Sequence, residues 1–225
     1  MRGARAALTP QPARTLTLPP TCTEEDFAML QRPWTPPAIA PRKRYRWTYA
    51  DLEAMPETAQ RTEIIDGDLI VSPSPNLIRH QLTVMNLGVM LRTWVRAHKA
   101  GRVFVAPADV VLTDRRVVQP DVFFVSTARL HLLGDGAAMR GAPDLVIEVL
   151  SPSNARLDRT VKFKVYEEEG VPECWIVDPK KRTVEVFALG DDGYARHAAG
   201  GAGETVRSTL LDGFAVLIDD VFEDA

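Results

Sequence analysis

The segment "GAPDLVIEVLSPS", residues 141–153, places the tightest constraint on this chain. Leu145, Val146, Ile147, Val149 and Leu150 suit a strand at the centre of a sheet, because a short run apolar on both sides is buried on both sides. Glu148 stands inside that run with no lysine or arginine within three residues. Leaving a buried carboxylate unpaired costs roughly several kcal/mol. Either Glu148 faces water, a lysine from elsewhere pairs with it, or an ion meets it.

The surrounding pattern is mixed. Residues 1–45 are rich in Pro, Thr and Arg and end in "RPWTPPAIAPRKRYR", which reads as a disordered or loosely packed basic arm. Residues 46–225 form a single domain, long enough to bury about 70% of its unfolded surface without disulfides. "TYADLEAM" is a short helix capped by Thr48. In "RTEIIDGDLIVSPSP", Asp66-Gly67 marks a hairpin, since both turn positions want positive φ. From Asn76 to about Ala97 a long, well-buried helix is expected, with Ile78, Leu82, Met85, Val89, Leu77, Val84, Leu91 and Val95 on a broad apolar side. "RVFVAPADVVLTDRRVVQPDVFFV" reads as two strands joined by a turn at residues 113–116. Loop and irregular helix follow to residue 141, then a strand at 144–150. A helix from about Ala155 to Glu169 ends at Gly170, ahead of the strands "ECWIVD" and "KKRTVEVFAL". The fold class is α/β in the mixed α+β sense.

Charge divides unevenly. Residues 1–46 hold eight Lys+Arg against three Asp+Glu, and the remainder holds 19 against 27. The acidic body does not by itself suggest a large nucleic-acid surface, but it suits a site that gathers carboxylates round a divalent cation. Cys22 and Cys174 lie far apart without a CxxC pattern, which argues against zinc or a disulfide scaffold. The first residues carry no apolar signal core and no run is long enough for a membrane span, so a cytoplasmic protein with no membrane partner is expected.

Two Pro-Asp pairs offer chemistry. "VVQPDVFFV" contains Asp121 ahead of an apolar strand, and "APDLVIEVL" contains Asp144, for which simple turn chemistry is an alternative. Strand alternation puts Asp144, Val146 and Glu148 on one face, and Asp121 with Phe123 and Val125 on one face of its own strand. If the two strands are neighbours, Asp121 and Glu148 converge, and two hard oxygen donors suit Mg²⁺ or Mn²⁺. On the next helix Asp158, Lys162 and Tyr166 recur every four residues as a polar stripe. Lys162 either pairs with Asp158 in the favoured i,i+4 order or points back to the carboxylates.

Taken in order, "RTEIIDGDLIVSPSPNLIRHQ", "VVQPDVFFV" and "APDLVIEVLSPSN…D…K…Y…GVPECWIVDP" resemble the Uma2 family, of the PD-(D/E)XK nuclease superfamily. The resemblance runs from about Tyr49 to Leu189. It implies a restriction-endonuclease-like fold, a central mixed sheet flanked by helices, and metal-dependent hydrolysis of DNA phosphodiester bonds. It assigns Asp121 and Glu148 as metal ligands, with a backbone carbonyl near Val149. It makes Lys162 the catalytic lysine, since position 150, where the superfamily usually carries it, is leucine. Glu63 matches an early glutamate that completes the acidic cluster, and His80 is more weakly indicated. Cutting both strands of a duplex implies a homodimer, for which the strands "ECWIVDP" and "TVEVFAL" are candidate pairing edges.

Glycine-rich phosphate or dinucleotide loops, GxSxG and HExxH are all absent from the sequence. The rival reading is a catalytically inactive nuclease-fold protein serving as a nucleic-acid-binding or assembly module.

Overall fold

Asp66 and Gly67 take φ of +52° and +82°, the backbone that a two-residue turn between twisted strands demands. They join β1 (Arg61–Ile65) to β2 (Asp68–Ser72), with Ile65 opposite Asp68. The structure, a computed structural model, describes residues 46–56, 60–72, 77–151 and 157–225. All of these belong to the unit spanning Arg44–Ala225. The expected basic arm lies outside the described residues. Before the hairpin comes α1 (Tyr49–Glu53), where the Asp51 carboxylate accepts from Thr48 N and Oγ1 at 2.8 and 2.7 Å.

After the hairpin runs α2 (Ile78–His98), 21 residues long. Its buried side is His80, Thr83, Leu87, Gly88, Leu91 and Val95, a series with mostly four-residue spacing that lies across the sheet. The expectation that Ile78, Met85 and Val89 belong to the core fails: they are 75%, 64% and 59% exposed. Apolar residues occupy nearly every side of this helix, so periodicity alone does not select the buried one.

Where two strands are expected between residues 101 and 126, four form: β3 (Gly101–Val105), β4 (Val110–Thr113), β5 (Arg116–Val118) and β6 (Val122–Ser126). The turn expected at residues 113–116 joins β4 to β5. Pro107 and Pro120 lack the N–H a ladder needs, and at each the chain passes from one sheet to another. β4 and β5 join β1, β2 and β7 (Met139–Arg140) in a five-stranded sheet ordered β2-β1-β5-β4-β7.

The larger sheet holds the rest: β8 (Leu145–Val149), β9 (Glu173–Asp178), β10 (Thr183–Gly190) and β11 (Gly193–Gly200). Its order is β11-β10-β9-β8-β6-β3. β8 and β9 are parallel and the other neighbours antiparallel, so the sheet is mixed. The parallel pair needs a crossover, supplied by a π-type turn at Leu157–Lys162 running into α3 (Phe163–Glu168), which stops at Gly170 with φ +74°. A short pair, β12 (Thr205–Arg207) and β13 (Ala215–Leu217), and α4 (Ile218–Val221) close the chain.

Strand alternation sorts the core. Leu145, Ile147, Val149, Val122 and Phe124 pack with Leu87, Leu91 and Val95 of α2. Val146, Phe123 and Val125 face the other way, towards Tyr166, Cys174 and Ile176. The strands expected to offer pairing edges, β9 and β10, lie inside the sheet; β3 and β11 are its edges.

Candidate active site

β6 and β8 are neighbours with Val122 opposite Ile147, Phe123 opposite Val146 and Phe124 opposite Leu145. Extending that register by one step sets Asp121 opposite Glu148, and side chains directly across an antiparallel pair share a face. The Val149 N–H donates to Asp121 Oδ2 at 2.8 Å, which ties the two strand ends together. Asp121 Oδ1 accepts from Arg61 Nη1 at 3.0 Å, and His80 Nε2 lies 3.4 Å from Oδ2.

Glu148 is fully buried, and so is Lys162. The Lys162 ammonium sits 2.5 Å from Glu148 Oε1, 3.2 Å from Glu63 Oε1 and 3.6 Å from Asp158 Oδ1. Both expected partners are therefore present, the helical neighbour being the more distant. Tyr166 also donates its hydroxyl to Glu148 Oε1. The stripe Asp158–Lys162–Tyr166 faces inward because its helix packs on the Val146 face of the sheet. Glu63, on β1, accepts from the Gln119 N–H at 2.8 Å. Glu63, Asp121, Glu148 and Lys162 thus meet in one buried cluster, with Val149 beside them.

Asp144 belongs elsewhere. It accepts from Ser126 N at 2.7 Å and Arg129 Nη1 at 3.0 Å, bracing a turn. Arg61 is the residue that sequence reasoning missed. Its Nη2 lies 3.4 Å from Glu63 and 3.8 Å from Glu148, so its guanidinium touches three carboxylates. The alternation of Arg61 with Glu63 along β1 was the available signal.

The comparisons agree with this architecture. The profile of Uma2, described as "Putative restriction endonuclease", matches residues 49–219. The chain belongs to the Uma2 family. A solved structure, titled as that of a "putative nuclease" from Anabaena variabilis, shares 21% identity with this Uma2 chain. It covers 78% of this chain and 97% of its own length, with a TM-score of 0.65. That likeness shows a restriction-endonuclease-like fold. No curated protein matches the chain.

Electrostatics in the Uma2 cluster are unbalanced. Glu63, Asp121, Glu148 and Asp158 share two permanent cations, Arg61 and Lys162. With every acid ionised and the imidazole neutral, two negative charges remain in surplus. Burial, reinforced by Asp158 and Asp121, outweighs Lys162 and pushes the Glu148 carboxyl up to about 8. Burial likewise lifts Asp158 to about 6 against the pull of Lys162. For Asp121, burial is outweighed by the His80 contact and the Arg61 charge, which hold it below the usual carboxylate range. Glu63 is also held low, with burial outweighed by Lys162 and Arg61. Burial works against the Lys162 ammonium, but Glu148 and Glu63 more than offset it and keep it charged.

These residues fit a divalent ion on two counts. Once an incoming ion displaces the Glu148 proton, the surplus charge is that of one such ion, and Glu148 Oε2 is buried without a hydrogen-bond partner among the described residues. Three His, Cys, Asp or Glu groups nowhere form a ready-made cage among the described residues. A magnesium-type ion tolerates this, since it commonly takes one or two carboxylates and fills the rest with water and substrate oxygens. A cavity of about 200 Å³, lined by Arg61, His80, Gln119 and Asp121 among others, opens beside the cluster.

Proposed function

We propose that this protein is a Mg²⁺- or Mn²⁺-dependent endonuclease that hydrolyses DNA phosphodiester bonds in the cytoplasm. One observation supports the reading above the others: Asp121 and Glu148 stand across adjacent strands with a buried lysine on Glu148 and more carboxylates than cations around them. Asp121, Glu148 and the Val149 carbonyl would hold the ion. When bound, it would polarise a phosphate oxygen and lower the pKa of a water. The chain's own groups prepare the rest. Val149 N–H and Arg61 fix Asp121, while Tyr166 and Lys162 engage Oε1 of Glu148 and leave Oε2 without a hydrogen bond, Arg61 Nη2 standing 3.8 Å from it. Lys162 orients the attacking water, with Glu63 steadying its ammonium. Arg61 and Lys162 offer positive charge where the phosphate becomes more negative in the transition state. Two copies would be required to cut both strands of a duplex.

A second reading, a catalytically inactive nuclease-fold module, is favoured by Arg61. Its guanidinium already stands among three of the carboxylates. Plasmid nicking separates the two. The nuclease should nick with Mg²⁺ or Mn²⁺, stop with chelator, and lose activity by at least about a hundredfold in Asp121→Asn and Glu148→Gln. Nicking that is equal in wild type and both variants would remove the site from the chemistry.

A further inference from the structure

Thirty of the 225 residues are acidic, yet none lies between Leu69 and Ala108. That stretch builds α2 and the edge strand β3, and it carries Arg79, Arg92, Arg96, Lys99 and Arg102, all exposed. None of these five has an ion-pair partner among the described residues. Arg92, and Arg96 one turn further on, stand on the flank of α2 that meets Val103 and Val105, whereas Arg102 lies on the other side of β3 beside Asp109 and Arg79 lies beside Leu150 and Lys180. The acidic C-terminal turn packs on the opposite flank of α2, where Asn86 donates to the carbonyls of Val221 and Glu223.

The Arg92 flank also holds apolar residues that the core did not take. Val84, Met85, Val89 and Arg92 of α2 and Val103 and Val105 of β3 line a trough of about 310 Å³. Gly88 forms its floor, where a Cβ would stand 3.2 Å from Val105. Gln81, Val84 and Ala106 line both this trough and the cavity over Asp121. The two spaces therefore adjoin, one beside the candidate active site and the other reaching Arg92. Along the helix, Gln81 to Arg92 spans about 16 Å at about 1.5 Å per residue. That is about five steps of a B-form strand at about 3.4 Å each.

We propose that this α2–β3 trough seats a nucleic-acid strand and leads it to the Asp121–Glu148 site, with Arg92 and Arg96 on its phosphates and the aliphatic floor beneath its sugars. The direction of the strand rests on the nuclease reading; the binding itself does not. A second copy of the chain is the poorer occupant. A two-fold contact sets a surface against itself, and this one would bring cations against cations with no acid from residues 69–108 to meet them.

The test is equilibrium binding of the full chain, in chelator so that no cleavage occurs, to labelled duplex and single-stranded oligonucleotides of one sequence. Salt is varied from about 50 to about 200 mM. Arg92→Ala with Arg96→Ala should make the slope of log K against log salt shallower by about 1.8 for duplex or about 1.4 for a single strand. The arm is common to all variants. Arg115→Ala with Arg207→Ala, also exposed, removes the same charge elsewhere and should leave the slope unchanged. Equal effects from both pairs, no effect from the first, or no binding by wild type would overturn the proposal. A dimer in sedimentation that Met85→Glu dissociates would also overturn it, by assigning the face to a second copy. Binding through Arg92 and Arg96 without nicking keeps the trough and rejects the nuclease; nicking indifferent to both arginines does the reverse.

Discussion

Lys162→Met tests the charge arrangement at its centre. The ammonium is the cation closest to Glu148 and lies within 3.6 Å of Glu63 and Asp158 as well, in a position with no solvent exposure. Methionine fills nearly the same volume, so the perturbation is one of charge. At about pH 8.5, above the Glu148 value of about 8, removing one partner of a buried pair should cost about 3–5 kcal/mol. For a domain of this size that corresponds to a fall in Tm of roughly 6–20 °C. At about pH 6 the loss should shrink by somewhat under about 1 kcal/mol, because Glu148 then holds its proton with or without Lys162 and only the half unit above 8 is at stake. Adding Glu148→Gln should recover part of the loss at the higher pH, giving a coupling of about 1–3 kcal/mol. Thermal and urea unfolding followed by circular dichroism, in chelator, measures all four chains. A loss below about 1 kcal/mol, or one that is the same at both pH values, would refute the ion pairing as described.

Two further outcomes follow from the same contacts. Glu148 in the folded chain keeps its proton to about pH 8 against an ordinary value of 4.5. Its contribution to stability is thus full below 4.5 and lost as pH rises through 8. Metal-free protein should lose about 1.4 kcal/mol per unit over much of that window, and Glu148→Gln should flatten the curve; equal curves would reject the raised carboxyl. Asp121 and Glu63 are held low and titrate below the window, whereas Asp158, raised from 3.8 to about 6, adds its own loss up to about pH 6, so the flattening by Glu148→Gln is read between about pH 6 and 8. Away from the site, the fully buried Glu173 accepts from Trp175 Nε1, Ser208 Oγ, Thr209 N, Thr209 Oγ1 and Leu210 N. Glu173→Ala should cost about 3 kcal/mol or more by stranding those donors and speed amide exchange at residues 208–211; unchanged exchange there would reject the anchoring role.

What the sequence disclosed and what it hid divide along physical lines. Local rules were enough for the Asp66-Gly67 turn and the end of α3 at Gly170, since backbone sterics decide both. The pairing of Asp121 with Glu148 was reachable as a condition, because alternation fixes a face but not a neighbour. The four strands between residues 101 and 126 were not legible, since two sheets rather than one receive them, and only the prolines hinted at the breaks. The buried side of α2 was hidden for the opposite reason. Its excess of apolar residues left Ile78, Met85 and Val89 looking like core when they line the outside. Arg61 escaped notice because an arginine in a strand reads as solvent-facing until three carboxylates are brought round it.

The leucine at position 150 has a physical explanation in this arrangement. Residue 150 shares the parity of Glu148, and Leu150 packs into the core beneath Tyr166 and Ile176. A lysine there would displace an apolar contact at the mouth of the cluster. Lys162 reaches Glu148 from the crossover instead, through a π-type turn, a local widening of the helix that is frequent at functional sites. What the proposed chemistry requires is an ammonium within reach of the carboxylate pair, whichever element carries it. The buried position of Lys162 supplies that ammonium already paired and already desolvated. On the proposed nuclease reading, the departure from the usual spacing relocates the lysine without removing it.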